Sequence, residues 1–184
     1  METTKIAIMK NVFLFTFLTL ALVFTTEATA QKFSGLDKSP ADIAYYPSSS
    51  REMDKAARII YSRPQLKGRS LDELAPKGKV WRTGANEATE ITFYKDATVG
   101  GTAIKAGTYS LFTIPGDDEW TVILNSNLHQ WGAYSYDSAA DVARVTAKAS
   151  TDGEELEAFS IAFDDNGDMV MGWGTTRATL PMSF

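Results

Sequence analysis

Hydrophobic and polar positions alternate with period two along most of this chain. In residues 89–94, Ile91 and Phe93 fall on one face and Glu90, Thr92 and Tyr94 on the other, which predicts a half-buried strand. Residues 108–114 are rich in aromatic and β-branched residues on both faces and predict a central strand covered on both sides. Trp120, Val122 and Leu124 then alternate with Thr121 and Ile123. Gly100-Gly101 and Pro115-Gly116-Asp117-Asp118 supply turns, so this middle stretch predicts an antiparallel meander. Upstream, residues 43–46 predict a short strand. Residues 58–62 predict another, with Ile59 and Tyr61 opposite Arg58 and Ile60, ended by Pro64 because proline donates nothing to a ladder. Downstream, Ala143, Val145 and Ala147 share a face in one run, and Phe159, Ile161 and Phe163 in the next. Asn166-Gly167 predicts a type I′ hairpin leading to Met169, Met171 and Trp173 on the returning strand. Residues 179–184 predict a final or edge strand.

Two stretches lack the alternation. Residues 65–79 hold a turn at Lys67-Gly68-Arg69 and at most one helical turn at 71–75. Residues 126–141 carry His129, Trp131, Tyr134 and Tyr136, an unusual density of aromatics for a segment without strand pattern. No long segment shows a helical period. About nine or ten short strands with turns between them predict an all-β antiparallel sandwich, with a jelly roll or a partly open barrel as alternatives.

The first 30 residues have a different character. Lys5 and Lys10 precede an apolar run over residues 12–24, and Ala28-Thr29-Ala30 offers small residues for a signal peptidase. The expectation is a cleaved leader over residues 1–30, translated from Met1 or Met9, and one domain over residues 31–184 in the periplasm or outside the cell. The apolar run falls short of the ~20 residues a spanning helix needs, and no later stretch is apolar enough. In the leader, Lys5 and Lys10 balance Glu2 and Glu27, so the formal net charge of −5 belongs to the domain. An acidic domain without a basic run argues against nucleic acid and anionic membrane as partners. The chain has 0 cysteines, which removes disulfides, thiolate zinc sites and cysteine nucleophiles together. The fold then rests on its apolar core.

Several blocks resemble one family. They are Tyr61-Ser62-Arg63-Pro64, Lys67-Gly68-Arg69, the run from Gly78-Lys79-Val80-Trp81-Arg82 through Thr83-Gly84-Ala85-Asn86-Glu87-Ala88-Thr89, Ala106-Gly107-Thr108-Tyr109-Ser110-Leu111-Phe112, Trp120-Thr121-Val122-Ile123-Leu124-Asn125 and Trp131-Gly132. This set resembles an uncharacterised bacterial family of exported proteins, domain of unknown function 2911. The resemblance implies an exported β domain, and it brings no catalytic residues with it.

The candidate chemistry therefore rests on individual side chains. Arg63, Lys67, Arg69, Trp81, Arg82, Asn86 and Glu87 concentrate polar groups around one aromatic, and Arg63 and Arg82 both stand at strand ends. A guanidinium fork suits a carboxylate, sulfate or phosphate, and an indole offers a flat wall for a sugar ring or a cation. His129, Trp131, Tyr134, Tyr136 and Asp137 form a second group that either lids the same pocket or folds down onto the core. The expected protein is a non-catalytic binder of a small polar, anionic or carbohydrate ligand, or of an envelope partner, needing no cofactor. A hydrolase using Glu87, His129 or Asp137 in a cleft is the alternative, and a structural envelope protein a third. His129 is the single histidine, and no Gly-x-Ser-x-Gly elbow exists. The acidic run over residues 164–168 is too short for a calcium-binding EF-hand and lacks its distal glutamate, so no metal site is expected.

Overall fold

The period-two pattern becomes ten strands and one short helix among the described residues: β1 (Ala41–Tyr46), β2 (Ala57–Ser62), α1 (Leu71–Leu74), β3 (Thr89–Phe93), β4 (Ala97–Val99), β5 (Thr102–Ile104), β6 (Gly107–Ile114), β7 (Glu119–Asn125), β8 (Asp141–Phe163), β9 (Met169–Leu180) and β10 (Met182–Ser183). This computed structural model describes residues 30–184. The expected leader over residues 1–30, with its choice of start at Met1 or Met9, lies outside the described residues except for Ala30. Residues 30–35 are exposed and carry no regular structure. No helix among the described residues is long and apolar enough to cross a membrane.

Seven strands form one antiparallel sheet in the order β1-β2-β3-β6-β7-β8-β9, and β10-β4-β5 form a second, three-stranded one. The large sheet curls until it is nearly closed, so of the expected all-β forms the partly open barrel is the one adopted. The strand β8 makes the curl possible. Its first part pairs with β7 from Asp141 to Lys148, and from Lys148 onward it pairs with β9, through register shifts around Leu156. The runs expected as two separate strands, around Val145 and around Ile161, are thus the two ends of one bent strand, and bulges accommodate the bend. At the β8–β9 connection, Gly167 has φ +92 while Asn166 is not left-handed. A type I′ turn needs both, so the connection is a longer loop instead. The Asp164 carboxylate accepts the amides of Asn166 and Asp168, both at 2.9 Å, and so organises it.

The residues after β2 close the sheet against the far end of β8. Phe159 N–H donates to the Pro64 carbonyl at 2.9 Å, and Leu66 N–H to the Glu157 carbonyl at 3.0 Å. Side chains complete the seam where the ladder stops. The Tyr61 hydroxyl accepts from the Ile161 amide at 3.0 Å and lies 3.3 Å from the Ile161 carbonyl. Arg63 donates to the Phe159 carbonyl at 3.0 Å, to Ser160 Oγ at 2.7 Å and to Asp42 at 3.1 Å.

Burial raises the Tyr61 phenol above its ordinary value, against the lowering effect of the Ile161 hydrogen bond. A raised value in the folded state means that stability from this group is intact below the ordinary tyrosine value of about 10. That stability is lost as pH rises through the folded value. Urea unfolding at increasing alkalinity should show stability falling above pH ~10, less steeply in Tyr61→Phe. Equal slopes in the two proteins would remove Tyr61 as the cause.

Two apolar layers result. Inside the curl, Trp81 stacks on Trp173 at 5.6 Å and meets Phe159 edge-on at 5.0 Å and Trp120 at 6.3 Å. On the outer face of β3, β6 and β7, Ala88, Phe112 and Ile123 form a smaller cluster with Val80, Ile114, Ala133 and Tyr136. Strand β6 lies between β3 and β7 and is covered on both faces, as its composition predicts.

Candidate functional site

The segment between Trp81 and β3 turns sharply, and its residues show how. Thr83 and Asn86 take left-handed backbone, φ +55 and φ +61, which a β-branched residue such as threonine adopts only when held. Thr83 is fully buried; its hydroxyl lies 3.1 Å from Thr113 Oγ1, and its carbonyl accepts from Thr89 Oγ1 at 2.7 Å. A Cβ at Gly84 would stand 3.0 Å from the Ser62 carbonyl, so this turn lies directly against the end of β2.

The aromatic segment comes to the same place. Ala88 N–H donates to the Gln130 carbonyl at 2.8 Å and Gly132 N–H to the Asn86 carbonyl at 2.9 Å, with Glu87 bridged to Trp131 between them. Residues 86–88 and 130–132 thus form a short ladder outside the main sheet. The Glu90 carboxylate anchors its edge by accepting from the His129 amide at 2.9 Å, and His129 Nδ1 lies 3.4 Å from the same oxygen. His129 holds a left-handed backbone, φ +59, to make that contact.

Between this edge and the outer face of β1 and β2 lies a cleft of about 420 Å³. Ala41, Ile60 and Ala88 give it apolar surface; Ser62, Glu87, Glu90 and His129 give it polar groups; Tyr61 completes the lining. The volume is within the range of small-ligand sites, which typically run from about 300 to 1,000 Å³. Its side-chain chemistry is that of hydrogen-bond acceptors beside an apolar floor.

The other expected site residues go elsewhere, for visible reasons. Trp81 is expected as a wall; it is 7% exposed and belongs to the inner aromatic cluster, its backbone bridged to Thr113 of β6. The ends of β2 and the Trp81–Asn86 turn do adjoin, yet Arg63 and Arg82 diverge from there. Arg63 is consumed by the seam. Arg69 donates to the Leu66 and Gln65 carbonyls, both at 3.0 Å, and the Lys67 amide donates to Glu157 at 2.8 Å, so both brace the turn after β2. Arg82 lies on the outer face beside Gly132 and Tyr134. The side chain of the half-buried Asn86 lies near Asp37, and after the Ser39 amide it helps hold that carboxyl below its ordinary value.

In the aromatic segment, Tyr136 packs against Phe112 at 5.1 Å, and its hydroxyl donates to Asp141 at 2.7 Å. Burial first, and then the Asp141 carboxylate, push that phenol above its ordinary value. Asp137 caps the 3-10 turn Ser138–Ala140 through the Ala139 amide, so it does not enter the cleft. Trp131 and Tyr134 are exposed, at 61% and 84%. The segment therefore folds down in part and presents aromatic surface in part. Among the described residues, no three histidine or carboxylate side chains are grouped to hold a metal ion.

Sequence reasoning passed over Ala41, Ile60, Ser62, Ala88 and Glu90. The signal for Ile60 was present: an apolar residue at an outward position of β2, 39% exposed. What no single sequence supplies is the register that sets Ile60 opposite Glu90.

Fold and cleft together define an antiparallel, barrel-like β domain with a cleft on the outside of its sheet. Within that class, the chain belongs to the family described as "Protein of unknown function (DUF2911)", whose profile matches residues 46–182. No curated protein and no solved structure matches it.

Proposed function

We propose that this domain is exported, to the periplasm or beyond, and there binds a small ligand in the cleft without transforming it. The ligand class follows from the lining. Two carboxylates, a hydroxyl and an imidazole meet an apolar floor, and no arginine or lysine lines the cleft. Carboxylates accept hydrogen bonds from hydroxyls and amines, so a sugar or amino sugar fits better than an anion. Trp131, bridged to Glu87 and exposed, offers a ring face at the rim. The observation that carries this reading is the convergence of Glu87, Glu90, His129 and Ser62 around Ile60.

Calorimetric titration of the purified protein with neutral sugars, amino sugars and uronic acids tests it. Neutral or amino sugars should bind, and Ile60→Trp, which fills the floor, should weaken binding about tenfold or more while leaving the melting temperature nearly unchanged. Binding that ignores Ile60→Trp would place the site elsewhere.

One observation favours a second reading, hydrolysis: Glu87 and His129 share the cleft, and His129 is already oriented by Glu90. Turnover of a glycoside or ester that disappears in Glu87→Gln would replace binding by catalysis.

A further inference from the structure

Arg82 stands apart from the other arginines that were candidates for ligand contact. It lies between Trp81 and Thr83, both directed into the core, so its own side chain leaves on the outer face. Its Nε is fully buried and has no hydrogen-bond partner. Among the described residues it joins no ion pair, whereas Arg63, Arg144 and Arg177 each face a carboxylate. A buried guanidinium N–H without an acceptor is costly. Its surroundings are shaped to keep it there. A Cβ at Gly132 would stand 3.1 Å from Arg82 Nη1 and 2.8 Å from Tyr134 Cε2, so the absence of a side chain leaves room for guanidinium and ring together. Tyr134, 84% exposed, borders the spot. Gln130, 8% exposed on the same ladder, also holds a buried Oε1 without a partner.

We propose that Arg82 anchors an oxyanion site, separate from the cleft, that takes a carboxylate, sulfate or phosphate group attached to a ring. The two Nη groups supply parallel donors to the oxyanion, and Tyr134 stacks on the ring that carries it. The site does not depend on the cleft reading, since Arg82 does not line the cleft. Arg58 is the natural comparison. Its Nε is likewise buried without a partner, but it lies in mid-strand opposite Tyr45 and Thr92.

Thermal unfolding in chloride, against sulfate, phosphate, acetate and glucuronate at matched ionic strength, tests the proposal. The wild-type protein should gain a saturable rise in melting temperature with at least one oxyanion. Glucuronate above acetate would mark the ring contact, while sulfate or phosphate above both would mark the anion alone. Arg82→Met should lose the rise, with apparent affinity falling about tenfold or more, and in chloride it should melt no lower than wild type. Arg82→Lys keeps the charge without the fork and should retain a reduced response. Arg58→Met and Ile60→Trp should respond as wild type does. No saturable rise over chloride in the wild type overturns the proposal. So does a full response in Arg82→Met, or in Arg82→Lys should the methionine variant fail to fold.

Discussion

Replacing Trp81 with alanine is expected to destabilise the domain by about 3–5 kcal/mol. That is a large part of the ~5–15 kcal/mol that holds a domain together. The indole touches Trp173, Phe159 and Trp120 at once, so its removal leaves a void that three rigid rings cannot refill. Transfer and cavity costs then add. The urea midpoint measures the loss, and a change under ~1 kcal/mol would mean the cluster can collapse onto the gap. No disulfide is present to soften the result.

Second in size is Arg63→Ala, expected to cost about 2–4 kcal/mol. The ion pair with Asp42 contributes little of this, because the two side chains are 35% and 42% exposed and solvent screens them. The weight lies on the bonds to the Phe159 carbonyl and Ser160 Oγ, which hold β8 to the end of β2 and lose their partner together. Asp42→Asn should accordingly cost under ~1 kcal/mol. Paired urea titrations of the two variants separate the contributions. Should Arg63→Ala unfold like wild type yet abolish sugar binding, Arg63 would return to the site as a ligand contact.

The two arginines show where sequence reading stops. Both stand at strand ends with polar neighbours, and nothing local tells them apart. One is satisfied by residues 96 and 97 positions further along the chain; the other keeps a buried Nε that meets no acceptor in the protein. Strands were legible because burial on one face of a pleat leaves a period of two, and β6 was legible as doubly covered because aromatic and β-branched residues fall on both its faces. The meeting of the Asn86 and Trp131 segments was inferable as adjacency, but the ladder between them was not. Trp81 was misplaced because an aromatic beside arginine, threonine, glycine and asparagine looks like a surface group. The strand phase through the buried pair Trp81 and Thr83 turns it inward instead. The continuity of β8 was hidden by the polar run 150–157, where the strand bends and its register slips. The cleft depends on pairing between β2 and β3, a long-range fact with no local signature.

The outer cluster under residues 126–140 has an implication for how this architecture can vary. Phe112 and Ile123 are completely buried although they sit on what would otherwise be the solvent side of the sheet. The length of that segment and the identity of those two positions are therefore one inherited trait, not two. A descendant that trimmed the segment while keeping both residues would lay a sticky apolar strip open to its neighbours. Shortening becomes tolerable only after both positions have turned hydrophilic, so the order of evolutionary steps, or of an engineer's edits, is constrained in advance.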